Sequence, residues 1–221
     1  MALPHEERPM GLQVPPVRPG VEIPPEPPDV GARALAVSAR LLAGATTFFF
    51  LAFLFSYFYL RSLNVDHMWR PAHVKPDAAL GVAFVVCVVL SAALAVLAGR
   101  AMKSRAGGWI RPGWGAVVLG LAAIALQCIE YTVQKFGPTD GAFASVFCAW
   151  TVFYLIAVLC TMYWLETQVA TEMRASRRPA AADGDIKDPD RLIAPGLDAA
   201  VFYWVYLAAI GVITYVVLYL V

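Results

Sequence analysis

A bundle of five membrane-spanning α-helices is the fold this sequence predicts, and three observations predict it. Hydrophobic residues make up 60% of the chain and charged residues only 15%, with a mean hydropathy of +0.64, outside the usual balance of a soluble domain. The apolar residues gather into five runs, at 34–60, 79–98, 114–133, 142–165 and 197–221. Each comes close to or exceeds the roughly 20 residues that carry a helix across a hydrocarbon core of about 30 Å. The segments between them alternate between rich and poor in Lys and Arg, as connections do when a chain crosses back and forth.

Residues 1–33 are a different material. Pro4, Pro9, Pro15, Pro16, Pro19, Pro24, Pro25, Pro27 and Pro28 stand among Arg and Glu without periodicity. This predicts a retained tail, extended or disordered, with none of the parts of a secretory signal. The bundle then occupies 34–221. Its first run places Arg40 one or two turns in, where the side chain can snorkel back to the tail side. Thr46 and Thr47 follow, with hydroxyls able to bond to their own helix carbonyls. The bulky series Phe48, Phe49, Phe50, Phe53, Phe55, Tyr57, Phe58 and Tyr59 suits lipid contact.

A loop carrying Trp69 and Pro71 leads to the second run, where Ser91, Ala95 and Gly99 recur at four-residue spacing, as do Ala116 and Gly120 in the third. Such stripes let helix backbones approach closely, and packing within the bundle is the expectation, ahead of packing on another subunit. Near the end of the third run Gln127, Glu130 and Tyr131 share a face by their i, i+3 and i, i+4 spacing. A carboxyl at that depth is costly in lipid, so it turns inward and accepts hydrogen bonds or takes up a proton. Two readings stand: a satisfied carboxyl that locks the helix end or fixes a lipid cleft, and a proton-handling group. The lock is the expectation. The fourth run leads into a polar stretch at about 171–196, rich in Arg, Asp and Ala, which predicts a mobile loop before the last run.

Orientation follows from the basic residues. Arg8, Arg18, Arg33, Arg100, Lys103, Arg105, Arg111, Arg174, Arg177, Arg178, Lys187 and Arg191 fall on the tail's side, against Arg61, Arg70, Lys75 and Lys135 on the other. The positive-inside bias therefore puts the tail in the cytoplasm and the C-terminus outside. A formal net charge of +1 points to no nucleic-acid partner, whereas the basic connections suit anionic lipid. The histidines are His5 in the tail and His67 and His73 in the first loop. A haem or copper centre within the membrane needs imidazoles projecting from the spans, so no metal or cofactor is expected on this chain. Cys87, Cys128, Cys148 and Cys160 lack paired spacing and read as small apolar packing residues. Nucleotide-binding and nucleophile-elbow patterns are absent. A small transporter, the alternative from another class, would need broken or charged helices at midplane, and no run offers them.

Taken in order, the runs resemble subunit III of haem–copper terminal oxidases in its short five-helix form. The stretch TTFFFLAFLFSYFYLR is similar to the family's aromatic span S-E-x-x-F-F-x-x-F-x-x-Y-F, and Trp69 with Pro71 to its W-P-P turn. Leu126-Gln127-Cys128-Ile129-Glu130-Tyr131 resembles L-Q-x-x-E-Y. Phe143-Ala144-Ser145-Val146-Phe147, with Thr151, Phe153 and Val158, resembles Y-G-S-x-F-F…T-G-F-H-G-x-H-V. The chain also departs from the pattern: Thr46 stands where the family has a membrane glutamate, Tyr154 and Ala157 where it has histidines, and the last span keeps Trp204 without W-H-F-V-D.

The resemblance implies a divergent, non-catalytic subunit of a proton-pumping aa3-type cytochrome c oxidase in a bacterial cell membrane, serving aerobic respiration. It would bind beside the haem-bearing subunit I, hold phospholipid, and support assembly, stability and proton uptake. Haem and copper would then belong to partner subunits. A quinol oxidase subunit or the related protein associated with nitric oxide reductase is the alternative, because the electron donor binds other chains. The candidate lipid-cleft or structural residues are Gln127, Glu130, Tyr131, Trp69, Pro71, Thr46 and Tyr154.

Overall fold

The computed structural model describes residues 28–64, 69–104, 108–175 and 193–221. Five helices follow one another: α1 Pro28–Ser62, α2 Ala78–Lys103, α3 Ile110–Val133, α4 Ala142–Ala175 and α5 Ile193–Tyr215. A π-helical turn, Val216–Leu220, continues α5. Each helix is long and apolar enough to cross a membrane, so the chain is an all-α, multi-pass membrane protein. The bundle has a tail end, where α1, α3 and α5 begin, and a far end, where they finish.

Three of the boundaries that differ from the apolar runs have a clear physical reason. Helix α1 begins at Pro28, inside the segment assigned to the tail, because proline suits the first helical position, where its missing N–H has no partner to lose. The expected tail is otherwise residues 1–27, which lie outside the described residues. Helix α4 runs to Ala175, well past 165. Its last turns are rich in the helix formers Glu, Gln, Ala and Met, so the helix outlasts the apolar composition. At the start of α5, Pro195 and Gly196 fall within the first turn, where proline is tolerated. The expected loop at 171–196 is thereby trimmed at both ends, and 176–192 lie outside the described residues.

Local signals set the other helix ends. Asp77 caps α2, its side chain accepting from the amides of Ala79 at 2.9 Å and Leu80 at 3.2 Å. Gly141 adopts φ +129° just before α4, a conformation open to glycine and closed to most other residues, and its carbonyl accepts the amide of Ser145 at 3.1 Å.

Helix α5 is the hub, touching α1, α2 and α4, while α2 packs on α3 and α3 on α4. Its inward stripe of Leu197, Ala200, Trp204 and Leu207 is completely covered. In lipid there is little hydrophobic force between helices, so close backbone approach and interhelical hydrogen bonds must supply the adhesion. Both appear at one point. Trp204 Nε1 donates to Ser91 Oγ at 3.0 Å, and Ser91 donates across to the Ala116 carbonyl at 2.5 Å. The small-residue stripes of α2 and α3 are buried inside the bundle, with Ser91, Ala95, Gly99, Ala116 and Gly120 all covered.

The aromatic series of α1 splits by helical period. Phe48 (77% exposed), Phe49, Phe55, Phe58 and Tyr59 face outward as lipid-contact residues, whereas Phe50 and Tyr57 are buried. Phe50 meets the ring edges of Phe153 and Tyr154 on α4 at 5.6 and 5.9 Å. The bulk of this span therefore serves packing as well as lipid.

Candidate functional site at the far end of the bundle

Residues at i and i+3 on a helix are neighbours, and Gln127 and Glu130 realise this: Gln127 Nε2 donates to Glu130 Oε2 at 2.8 Å. The other carboxylate oxygen, Oε1, accepts from the hydroxyl of Tyr219 at 2.6 Å. Tyr219 lies in the π-helical turn after α5, so the carboxyl ties α3 to the end of the chain. Its ring is wedged in place: Tyr215 stacks on it at 5.1 Å, and a Cβ added to Gly81 of α2 would collide with it.

Tyr131 does not join this group, contrary to the expectation that all three residues share a face. Adjacent helical residues diverge by about 100°, which aims Tyr131 toward Thr151 on α4 while Glu130 faces Tyr219. The Tyr131 hydroxyl is buried and makes no hydrogen bond of ordinary geometry among the described residues. Tyr219 could not be chosen from local spacing, since it sits in an apolar run far along the chain from Glu130.

A second cluster adjoins the first. Trp69 is buried edge-on against Tyr57 of α1 at 5.2 Å and Phe143 of α4 at 5.7 Å. The Phe143 amide donates to the Trp69 carbonyl at 3.0 Å, and the Trp69 amide donates to Asn64 Oδ1 at 2.9 Å. Pro71 offers its carbonyl to the Val74 amide at 2.9 Å, closing the turn. Arg70, not singled out from sequence, lies 4.5 Å from the Phe143 ring centroid, a cation–π contact.

Of the three positions where the resemblance expects ionisable residues, Thr46 and Tyr154 hold hydroxyls that bind α5, and the third is Ala157. Thr46 Oγ1 donates to its own helix at Leu42 O, 2.7 Å away, and lies 2.9 Å from the Tyr203 hydroxyl. Thr47 repeats the arrangement with Tyr206 at 2.9 Å. Tyr154 donates to the Leu207 carbonyl at 2.8 Å, and Gly211 leaves room for its ring. Gln127, Tyr154 and Tyr219 border one small internal space. Thr46 and the Trp69 turn do not border it.

At the tail end, a groove of about 590 Å³ runs between the starts of α1 and α5 and the end of α2. Ala36, Ala39 and Ala199 give it small apolar walls, and Arg33, Arg40, Lys103 and Asp198 supply charge. Lys103 pairs with Asp198 at 2.8 Å, an exposed contact of little energetic weight.

Among the described residues no three His, Cys, Asp or Glu side chains are grouped as metal ligands. The arrangement at the far end offers hydrogen bonding and proton chemistry at Glu130. No known family model matches the chain, and no curated protein matches it either.

Proposed function

We propose that the chain is a non-catalytic subunit III-like component of a haem–copper oxidase, bound beside the haem-bearing subunit and supporting its assembly, durability and proton uptake. The observation that carries this reading is the convergence of its motif segments. Tyr57 of the aromatic span, Trp69 of the following turn and Phe143 of the fourth span meet as one aromatic cluster, joined by the Phe143–Trp69 backbone bond. Beside them the L-Q-x-x-E-Y pair, Gln127 and Glu130, is buried and bonded. Motifs that are weak singly support the reading more strongly when they assemble at one place.

On this reading the far end faces outward and the tail end faces the cytoplasm of a bacterial cell membrane, following the basic-residue bias. The tail-end groove then lies at the cytoplasmic interface, where its surplus of positive charge suits a phospholipid headgroup and its alanine walls an acyl chain. Haem and copper belong to the partner, and cytochrome c is the donor in the aa3-type form.

Purification through an affinity tag on this chain in mild detergent tests the proposal. Haem-type absorption should co-elute, together with a larger polytopic subunit in fixed ratio. A colourless eluate holding this chain alone, from membranes that respire normally, would contradict it.

A further inference from the structure

Glu130 is the only buried Asp, Glu, Lys, Arg or His among the described residues, at 2% exposure. No basic side chain among them pairs with it. An unpaired carboxylate held away from water is strongly disfavoured, so this group needs either a proton or a route to solvent. Both are at hand. Glu130 lines a cavity of about 330 Å³ that opens at the far end between His73, Lys75, Asp77 and Lys135. On its inner side is a space of about 10 Å³ bordered by Gln127, Thr151, Tyr154, Thr214 and Tyr219, about enough for one water molecule. Tyr219 borders this inner space and bonds its hydroxyl to Glu130 Oε1.

We propose that Glu130 is a proton-exchange site served from the far-end medium, with the Tyr219 hydroxyl as the hydrogen-bond partner that reverses its role when the proton arrives. The donor inventory sets the chemistry. In the ionised state Oε1 accepts from Tyr219 and Oε2 from Gln127 Nε2, which can only donate. A hydronium ion in the cavity gives up a proton, an O–H bond forms at Oε1, and water is left behind. The new hydroxyl donates to the Tyr219 oxygen, whose own proton rotates away from Oε1. Release is the reverse, with no electron moved and no other covalent bond changed.

Surrounding charges bias the exchange from several elements. Asp77 at the start of α2 and His73, Lys75 and Lys135 of the adjoining loops line the same cavity as Glu130. Tyr215 on α5, Tyr131 on α3 and Cys148 on α4 are the remaining titratable neighbours of the network. Beyond the inner space the polar chain ends. Trp150 Nε1 donates to Thr214 and has no lone pair to accept a proton, and Tyr154 is spent on the Leu207 carbonyl. The exchange is therefore local and not a route across the membrane, and it holds whichever complex the chain joins.

The test is infrared difference spectroscopy of the full chain in lipid nanodiscs as pH is lowered, repeated after transfer to deuterium oxide. A carboxylic C=O band should grow with acid, shift in deuterium oxide, and be lost in Glu130→Gln. In Lys135→Gln, a change at an exposed residue that lines the cavity, the midpoint of the same band should move, because a charge at the cavity mouth is gone. A band that ignores pH, fails to shift in deuterium oxide, or keeps its midpoint in Lys135→Gln would overturn the proposal, even if Glu130→Gln fails to fold.

Discussion

At Glu130 the two hydrogen bonds that relieve a buried carboxyl are also the bonds that hold α3 to the end of α5. Removing the acceptor should therefore matter more than removing the charge. Glu130→Leu leaves the Gln127 amide and Tyr219 hydroxyl without partners, at a cost of about 1–3 kcal/mol. Glu130→Gln keeps the shape and an acceptor for Tyr219, so it should lose less than half of that. Thermal unfolding in detergent, read by loss of helical signal, compares the two; equal losses would show that the carboxylate charge, not the hydrogen bonding, stabilises the contact. The half of this site on α3 was legible in the sequence, because i, i+3 spacing fixes neighbours within a helix. The other half was not: Tyr219 is 89 residues from Glu130, and no local rule selects one tyrosine of an apolar run over another. Tyr131 misled for the converse reason, since proximity in sequence put it on a different side of its helix.

Between helices, space decides where hydrogen bonds can form. Gly81 is the instructive position, because its missing Cβ is where the Tyr219 ring lies. In an exposed helix, Gly→Ala favours folding by up to about 1 kcal/mol. Here the added methyl meets a rigid ring already stacked on Tyr215, and overpacking of this kind costs about 1–3 kcal/mol. Gly81→Ala should therefore lower the thermal midpoint, and it should lower it little further in a Tyr219→Ala background, where the ring is gone. An undiminished loss in that background would place the strain elsewhere. At this scale the apolar runs located all five helices to within a few turns, and the small-residue stripes of α2 and α3 lie inside the bundle, as their spacing predicts. The ends escaped because α1 starts on a proline and α4 continues through polar helix formers, where hydropathy is silent but backbone preference is not. The aromatic span was half legible: lipid-facing and inward rings alternate by a period the composition alone does not reveal.

Over the whole molecule, α5 gathers the other helices, and the hydroxyl pairs Thr46–Tyr203 and Thr47–Tyr206 bind α1 to it at positions where the resemblance expects a carboxyl at the first. Hydrogen bonds of this sort between membrane helices contribute about 0.6 to 2 kcal/mol each, which helps hold α1 to α5 without a carboxyl at position 46. A chain so built can stabilise a neighbour without taking part in its electron transfer. The proposed oxidase role is measured most directly by sustained turnover: oxygen consumption followed to exhaustion by whatever oxidase co-purifies with this chain, with the chain and after its removal. The account predicts similar initial rates and a markedly faster loss of activity in the preparation lacking the chain. An initial rate abolished by its removal, or identical decay in the two preparations, would contradict it.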